Sequence, residues 1–121
     1  MVNKKTLVFG ASLKADRYSN FAIHRLINSG HNVVAFGLKS GIVAGILIDT
    51  QLIDYKEIDT ITLYINAAIQ QQYYNYIVSL KPKRVIFNPG TENPEFYKIL
   101  EKNGIAYEVA CTLVLLSTNQ Y

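Results

Sequence analysis

The chain has 121 residues, half of them hydrophobic and 17% charged, with a formal net charge of +3 and one cysteine. This balance excludes a disordered chain, fits a single domain over residues 1–121, and contains no apolar run near the ~18–20 residues that span a bilayer. The basic residues are scattered (Lys4/Lys5, Lys14/Arg17, Lys39, Lys81/Lys83/Arg84, Lys98/Lys102), which argues for an anionic small-molecule partner and against nucleic acid, while a lone cysteine suits a reducing, cytoplasmic setting.

Thr6–Gly10 is an apolar run closed by glycine and predicts a buried strand. After a polar stretch, Ser19 or Asn20 is expected to cap a helix with Ala22, Ile23, Leu26 and Ile27 on one face and Gly30 at its end. Asn32–Phe36 predicts a second strand closed by Gly37, Ile46–Ile48 a short third and Thr60–Ile65 a strong fourth. Ile69, Tyr73, Tyr76, Ile77 and Leu80 recur at helical spacing. Arg84–Phe87 predicts the fifth strand. Asn93 followed by Pro94 signals a helix start, with Phe96, Ile99 and Leu100 as the buried face and Gly104 as the stop. Tyr107–Val109 predicts a final strand before the apolar stretch 111–116. Alternating strands and helices imply an α/β, three-layer, Rossmann-like doubly wound parallel sheet in the order 3-2-1-4-5, any final strand lying beyond, with helices on both faces.

Ligands of open parallel sheets bind beyond the carboxyl ends of the strands, where the strand order reverses. The loop from Gly10 to Asn20 holds that place. Gly10 allows a tight turn, and the amides of Ala11, Ser12 and the helix start are suited to an anion, with Lys14 and Arg17 adding charge. On this reading Gly10→Val abolishes ligand binding and leaves the fold intact; if the glycine serves only chain reversal, folding fails too. The loop lacks the G-x-G-x-x-G fingerprint of dinucleotide turns. The second strand ends in Phe36-Gly37-Leu38-Lys39-Ser40-Gly41, with no acid until Asp49 to hold ribose hydroxyls. Lys39 and Ser40 instead suit a phosphate on the ribose, favouring a 3′- or 2′-phosphorylated adenosine over NAD.

Gly10-Ala11-Ser12, the helix entry Asp16-Arg17-Tyr18-Ser19-Asn20, the turn Asn88-Pro89-Gly90-Thr91-Glu92-Asn93 and the late Cys111 together resemble the small CoA-binding domain family. These proteins are similar to the N-terminal domain of the succinyl-CoA synthetase alpha subunit. The resemblance implies a site for coenzyme A or an acyl-CoA, with the pyrophosphate over Ala11 and Ser12 and the helix start at Ser19 and Asn20, beside the charge of Arg17. It also implies contacts from Lys39 after strand two, beside Ser40, and from Ile65, Asn66 and Ala67 after the central strand. The chain departs from the family pattern at Gly37-Leu38, where relatives often have Asn-Pro, and at Asn66-Ala67-Ala68, where they have a proline-bearing turn.

No catalytic constellation emerges. Cys111 lies in an apolar stretch and reads as a buried, inert thiol. His24 reads as a solvated helix residue, and His31 is expected on the opposite edge of the sheet from the loop without an evident partner. One cysteine and two histidines with no acid cluster build no metal site. Asp16 and Glu92 read as solvated loop carboxylates. The expected function is non-catalytic binding of coenzyme A or an acyl-CoA, the alternative being a small NADP-dependent oxidoreductase or a CoA-linked enzyme subunit acting with a partner chain. Tyr73, Tyr74 and Tyr76 share one helix. Tyr74, projecting sideways, leaves open a subunit contact in a homo-oligomer or a half-buried helix–sheet seam.

Overall fold

The computed structural model describes residues 3–121. Seven strands form one sheet: β1 (Thr6–Ala11), β2 (Val33–Gly37), β3 (Gly41–Val43), β4 (Ile46–Asp49), β5 (Thr60–Leu63), β6 (Arg84–Phe87) and β7 (Ala106–Val109). The order is β3-β4-β2-β1-β5-β6-β7. All neighbours pair in parallel except β3 with β4. The order therefore differs from the expected one by an antiparallel edge strand. Gly41–Val43, which no expected element covers, pairs with Ile46–Ile48 through a two-residue turn in which Ala44 (φ +49°) and Gly45 (φ +80°) are both left-handed. Such a turn matches the right-handed twist of a hairpin.

The helices are α1 (Tyr18–Asn28), α2 (Ala67–Gln70), α3 (Tyr74–Ser79), α4 (Pro94–Lys102) and α5 (Thr112–Ser117). The helix expected across 69–80 is two short helices joined by a 3₁₀ turn at Gln71–Tyr73. Two side chains hold it in that shape. Buried Gln70 donates to the carbonyls of Ile65 (2.9 Å) and Thr91 (2.8 Å), while Tyr73 packs its ring on Phe9 and Phe36 at 5.0 and 5.8 Å. Asn93 caps α4 as expected, accepting from the Phe96 amide, with Pro94 in the first turn. The apolar stretch after β7 closes the chain as α5, and Cys111, expected to be buried, is only half-buried because it stands at the N-cap ahead of the helix.

The sheet separates two apolar layers. On one face Leu7, Phe9, Phe36, Ile61 and Leu63 meet Ile77, Leu80, Phe96 and Leu100 from α3 and α4. On the other, Val8, Ala11, Ala35 and Ile48 meet Ile23 and Leu26 from α1, with Leu116 of α5 alongside. Each of the larger side chains, fully buried, contributes roughly 1.5–3 kcal/mol. Leu7, Val8 and Phe9 alternate between the layers as a strand requires. Ala11 breaks the alternation. The β1–β2 register skips Gly10, pairing Phe9 with Phe36 and then Ala11 with Gly37, and this bulge turns Ala11 onto the α1 side.

Tyr74 does not project into solvent. Its ring lies 4.4 Å from that of Phe96 and its hydroxyl accepts from Asn93 Nδ2 at 2.8 Å. Tyr76 likewise donates to the Ile53 carbonyl. The tyrosines form a helix–sheet seam.

Candidate functional site

Three segments meet at the carboxyl end of the central strands, and Gly10 is where they touch. Its φ is +98°, and a β-carbon there would lie 2.9 Å from Ile65 Cγ2 and 3.1 Å from the Tyr64 carbonyl carbon. Only glycine takes this backbone without strain. The Ala11 carbonyl in turn packs so close to Gly37 that a β-carbon on Gly37 would collide with it. The side chain of Leu13 lies along Gly41. The loop after β1 is thus held between the Ile65–Ala67 segment and the Leu38–Ser40 segment. Those are the segments that carry the remaining expected contacts: Ile65 is half-buried, Asn66 exposed, and Lys39 and Ser40 both exposed.

The start of α1 differs from the expectation. The helix begins at Tyr18, its N-cap is Arg17 in an extended conformation, and no side chain caps it. Ser19 and Asn20, favoured capping types, lie inside the first turn and are buried. Asn20 has another task. Its Nδ2 donates to the Ser12 carbonyl at 3.0 Å and ties the loop to the helix. Ser12 Oγ accepts from the Lys14 amide at 3.1 Å, tightening the same turn. The first intrahelical amides to find acceptors are those of Asn20 and Phe21, both on the Arg17 carbonyl. The amides of Tyr18 and Ser19 are left without a protein acceptor among the described residues. The first turn also contains no acid. Free amides at the positive end of a helix dipole, beside the exposed cations Lys14 and Arg17, suit an anion. At the neighbouring segment the acceptor of Asn66 is already used, capping α2 through the Ile69 amide at 3.0 Å.

A buried polar network that the sequence does not announce braces these loops from behind. Asn88 Nδ2 donates to Thr62 Oγ1 (2.7 Å) and to the Leu63 carbonyl (2.8 Å), and its Oδ1 accepts from the Thr112 amide (2.9 Å). Thr62 and Thr112 hydroxyls bond each other, and Thr91 Oγ1 donates to the Asn88 carbonyl. Asn93 Nδ2 joins Gln70 Oε1 and the Tyr74 hydroxyl. The turn Asn88–Asn93 thereby locks the ends of β5 and β6 to α2 and α5. Its run of Asn, Thr and Asn is the one local signal of such a role. Tyr64, immediately after β5, buries its hydroxyl with no hydrogen-bond partner among the described residues, and burial pushes that group up to about 12.

At the opposite end of the sheet His31 does have partners. Its Nδ1 accepts the Lys4 amide at 2.9 Å and its ring lies 5.0 Å from that of Tyr121. Burial, together with the positive charges of Lys4 and Arg84, holds it below the ordinary histidine value. Arg84 itself stacks over Tyr121 at 4.5 Å and pairs with Glu108 at 2.8 Å. This cluster is structural.

A mostly parallel sheet with helices on both faces makes this a Rossmann-like protein. Comparison narrows the class: the model of the CoA binding domain family matches residues 4–117, and the chain belongs to that family. A crystal structure of an uncharacterized protein is 48% identical and superposes with a TM-score of 0.97 over 100% of both chains. A Thermus thermophilus protein shares the fold at 22% identity and a TM-score of 0.85, over 98% of this chain and 91% of its own. A hypothetical protein from Pyrococcus horikoshii OT3 does so at 24% identity and a TM-score of 0.85, over 96% and 83%. Comparison with curated proteins finds no match. Among the described residues no helix is long and apolar enough to cross a membrane.

Proposed function

We propose that the chain binds coenzyme A or an acyl-CoA, without catalysing a reaction on it, at the carboxyl ends of β1, β2 and β5. One observation carries the reading beyond family membership: α1 starts with no capping side chain and no acid, directly after a loop anchored by Asn20 to Ser12. The pyrophosphate lies against the amides of Ser12, Tyr18 and Ser19 with Arg17 beside it. Lys39 and Ser40 take the phosphate on the ribose, and the Ile65–Ala67 segment borders the nucleotide. The residues present fit this ligand, since two anionic groups meet two separate basic segments that packing through Leu13 and Gly41 holds side by side.

Calorimetric titration with CoA, acetyl-CoA, NADP and NAD tests the proposal. The expected order places CoA or acetyl-CoA first and NAD last. NAD binding more tightly than CoA overturns it, and NADP in first place assigns Lys39 and Ser40 to a 2′-phosphate instead.

A further inference from the structure

Four large apolar side chains stand in water around the proposed site. Leu13 follows β1, Tyr18 and Phe21 lie on the first turn of α1, and Leu38 follows β2. Tyr18 is 71% exposed and Leu38 is 90% exposed, so neither serves the core. The Tyr18 ring sits 6.5 Å from that of Phe21, and Leu13 lies against Gly41, three residues beyond Leu38. Loop tips are ordinarily built from Gly, Pro, Asn, Asp and Ser, and clustered apolar surface at such a place marks a binding region. The same loops carry Lys14, Arg17 and Lys39, and their one acid is Asp16. Apolar surface interleaved with cations is complementary to an anionic amphiphile. A second copy of this chain, carrying the same cations, is not.

We infer that this lip takes the hydrocarbon chain of a medium- or long-chain acyl-CoA, whose phosphates the adjoining cations hold. The inference rests on the proposed CoA site and adds the class of acyl group. An acetyl group is too short to cover four such side chains. An eight-carbon chain carries six more carbons than acetyl, and removing these together with the apolar side chains from water supplies affinity that free CoA lacks.

The test is titration of CoA and of acetyl-, hexanoyl- and octanoyl-CoA, kept dilute enough to stay monomeric, against the wild type and a Phe21→Ser, Leu38→Ser double variant. A fully buried methylene multiplies affinity about fourfold, and one lying on an open surface about twofold. Octanoyl-CoA is therefore expected to bind some tens-fold more tightly than acetyl-CoA. In the double variant this ratio falls below about fivefold, while CoA itself binds as before, both positions being exposed and their side chains outside the phosphate contacts. A flat series with CoA still binding overturns the inference and leaves the CoA site standing. A gradient unchanged in the variant also overturns it, by placing the chain elsewhere. A flat series together with sedimentation on anionic phospholipid vesicles, lost in the variant, overturns it in favour of a lipid surface. If no CoA species binds at all, the underlying reading fails first, and the inference with it.

Discussion

Gly10 and Ile65 share a space that admits no additional atom: a β-carbon on Gly10 would sit 2.9 Å from Ile65 Cγ2. With the left-handed φ of +98°, this makes Gly10 a residue that the fold itself requires. The expectation that Gly10→Val spares the fold is overturned, because strand propensity is irrelevant at a bulge that a side chain cannot adopt. Even Gly10→Ala is expected to lower stability by about 2–4 kcal/mol, combining left-handed strain with overpacking. Urea denaturation measures it. An unchanged midpoint would show that the Tyr64–Ile65 backbone yields without cost.

Lys39→Ala separates the two proposed phosphate contacts. The side chain is exposed and makes no hydrogen bond among the described residues, so the fold should be indifferent to its loss. CoA should lose about 1–2 kcal/mol of affinity, a charge-assisted contact left partly solvated, while dephospho-CoA should lose little. Equal losses would remove Lys39 from the ribose phosphate.

Asn88→Ala should be among the most damaging polar substitutions. It strands the Leu63 carbonyl and the Thr112 amide, both now satisfied by the Asn88 side chain. Leaving buried groups unpaired costs more than the bonds themselves, and a loss of about 2–4 kcal/mol is expected. The denaturation midpoint should fall at constant slope.

His31 predicts an acid sensitivity. Its value in the folded protein lies below that of an unfolded chain, so the unfolded state takes up the proton more readily. The stabilising effect of neutral His31 is complete above the unfolded value of about 6.5 and is lost as the pH falls through and below it. His31→Gln, which keeps an acceptor for the Lys4 amide and does not titrate, should flatten the stability profile in that window. A profile identical to that of the wild type would place the acid sensitivity elsewhere.

Much of this fold is legible because burial writes it in the simplest code. Strands such as Arg84–Phe87 are runs of apolar residues between turn formers, and the Asn93-Pro94 entry to α4 needs only local geometry. The start of α1 departs from its expected form for an instructive reason. Ser19 and Asn20 are good caps by type, but the side chain of Asn20 is drawn to a carbonyl eight residues back. The β3 hairpin is hidden because its turn places an alanine, not the usual Asn or Asp, in the left-handed region. The Asn88 network is beyond reach, since its partners come from segments 24–26 residues away and nothing local marks them as neighbours. Among the proposed site segments, Gly10 meets Ile65 and Ala11 meets Gly37 through contacts that spacing alone does not encode.

The bulge at Gly10 makes the position of the loop a matter of counting. Residues of β1 address the two layers by turns, and the one unpaired residue changes odd to even, so that Ala11 belongs to the α1 side. Were Gly10 to pair as an ordinary strand residue, strict alternation would aim Ala11 at the layer of α3 and α4, away from Asn20 and the open end of α1. The chemical groups would all survive, and the place where they converge would not. In this chain the site depends on the parity of one strand as much as on the identity of the residues that line it.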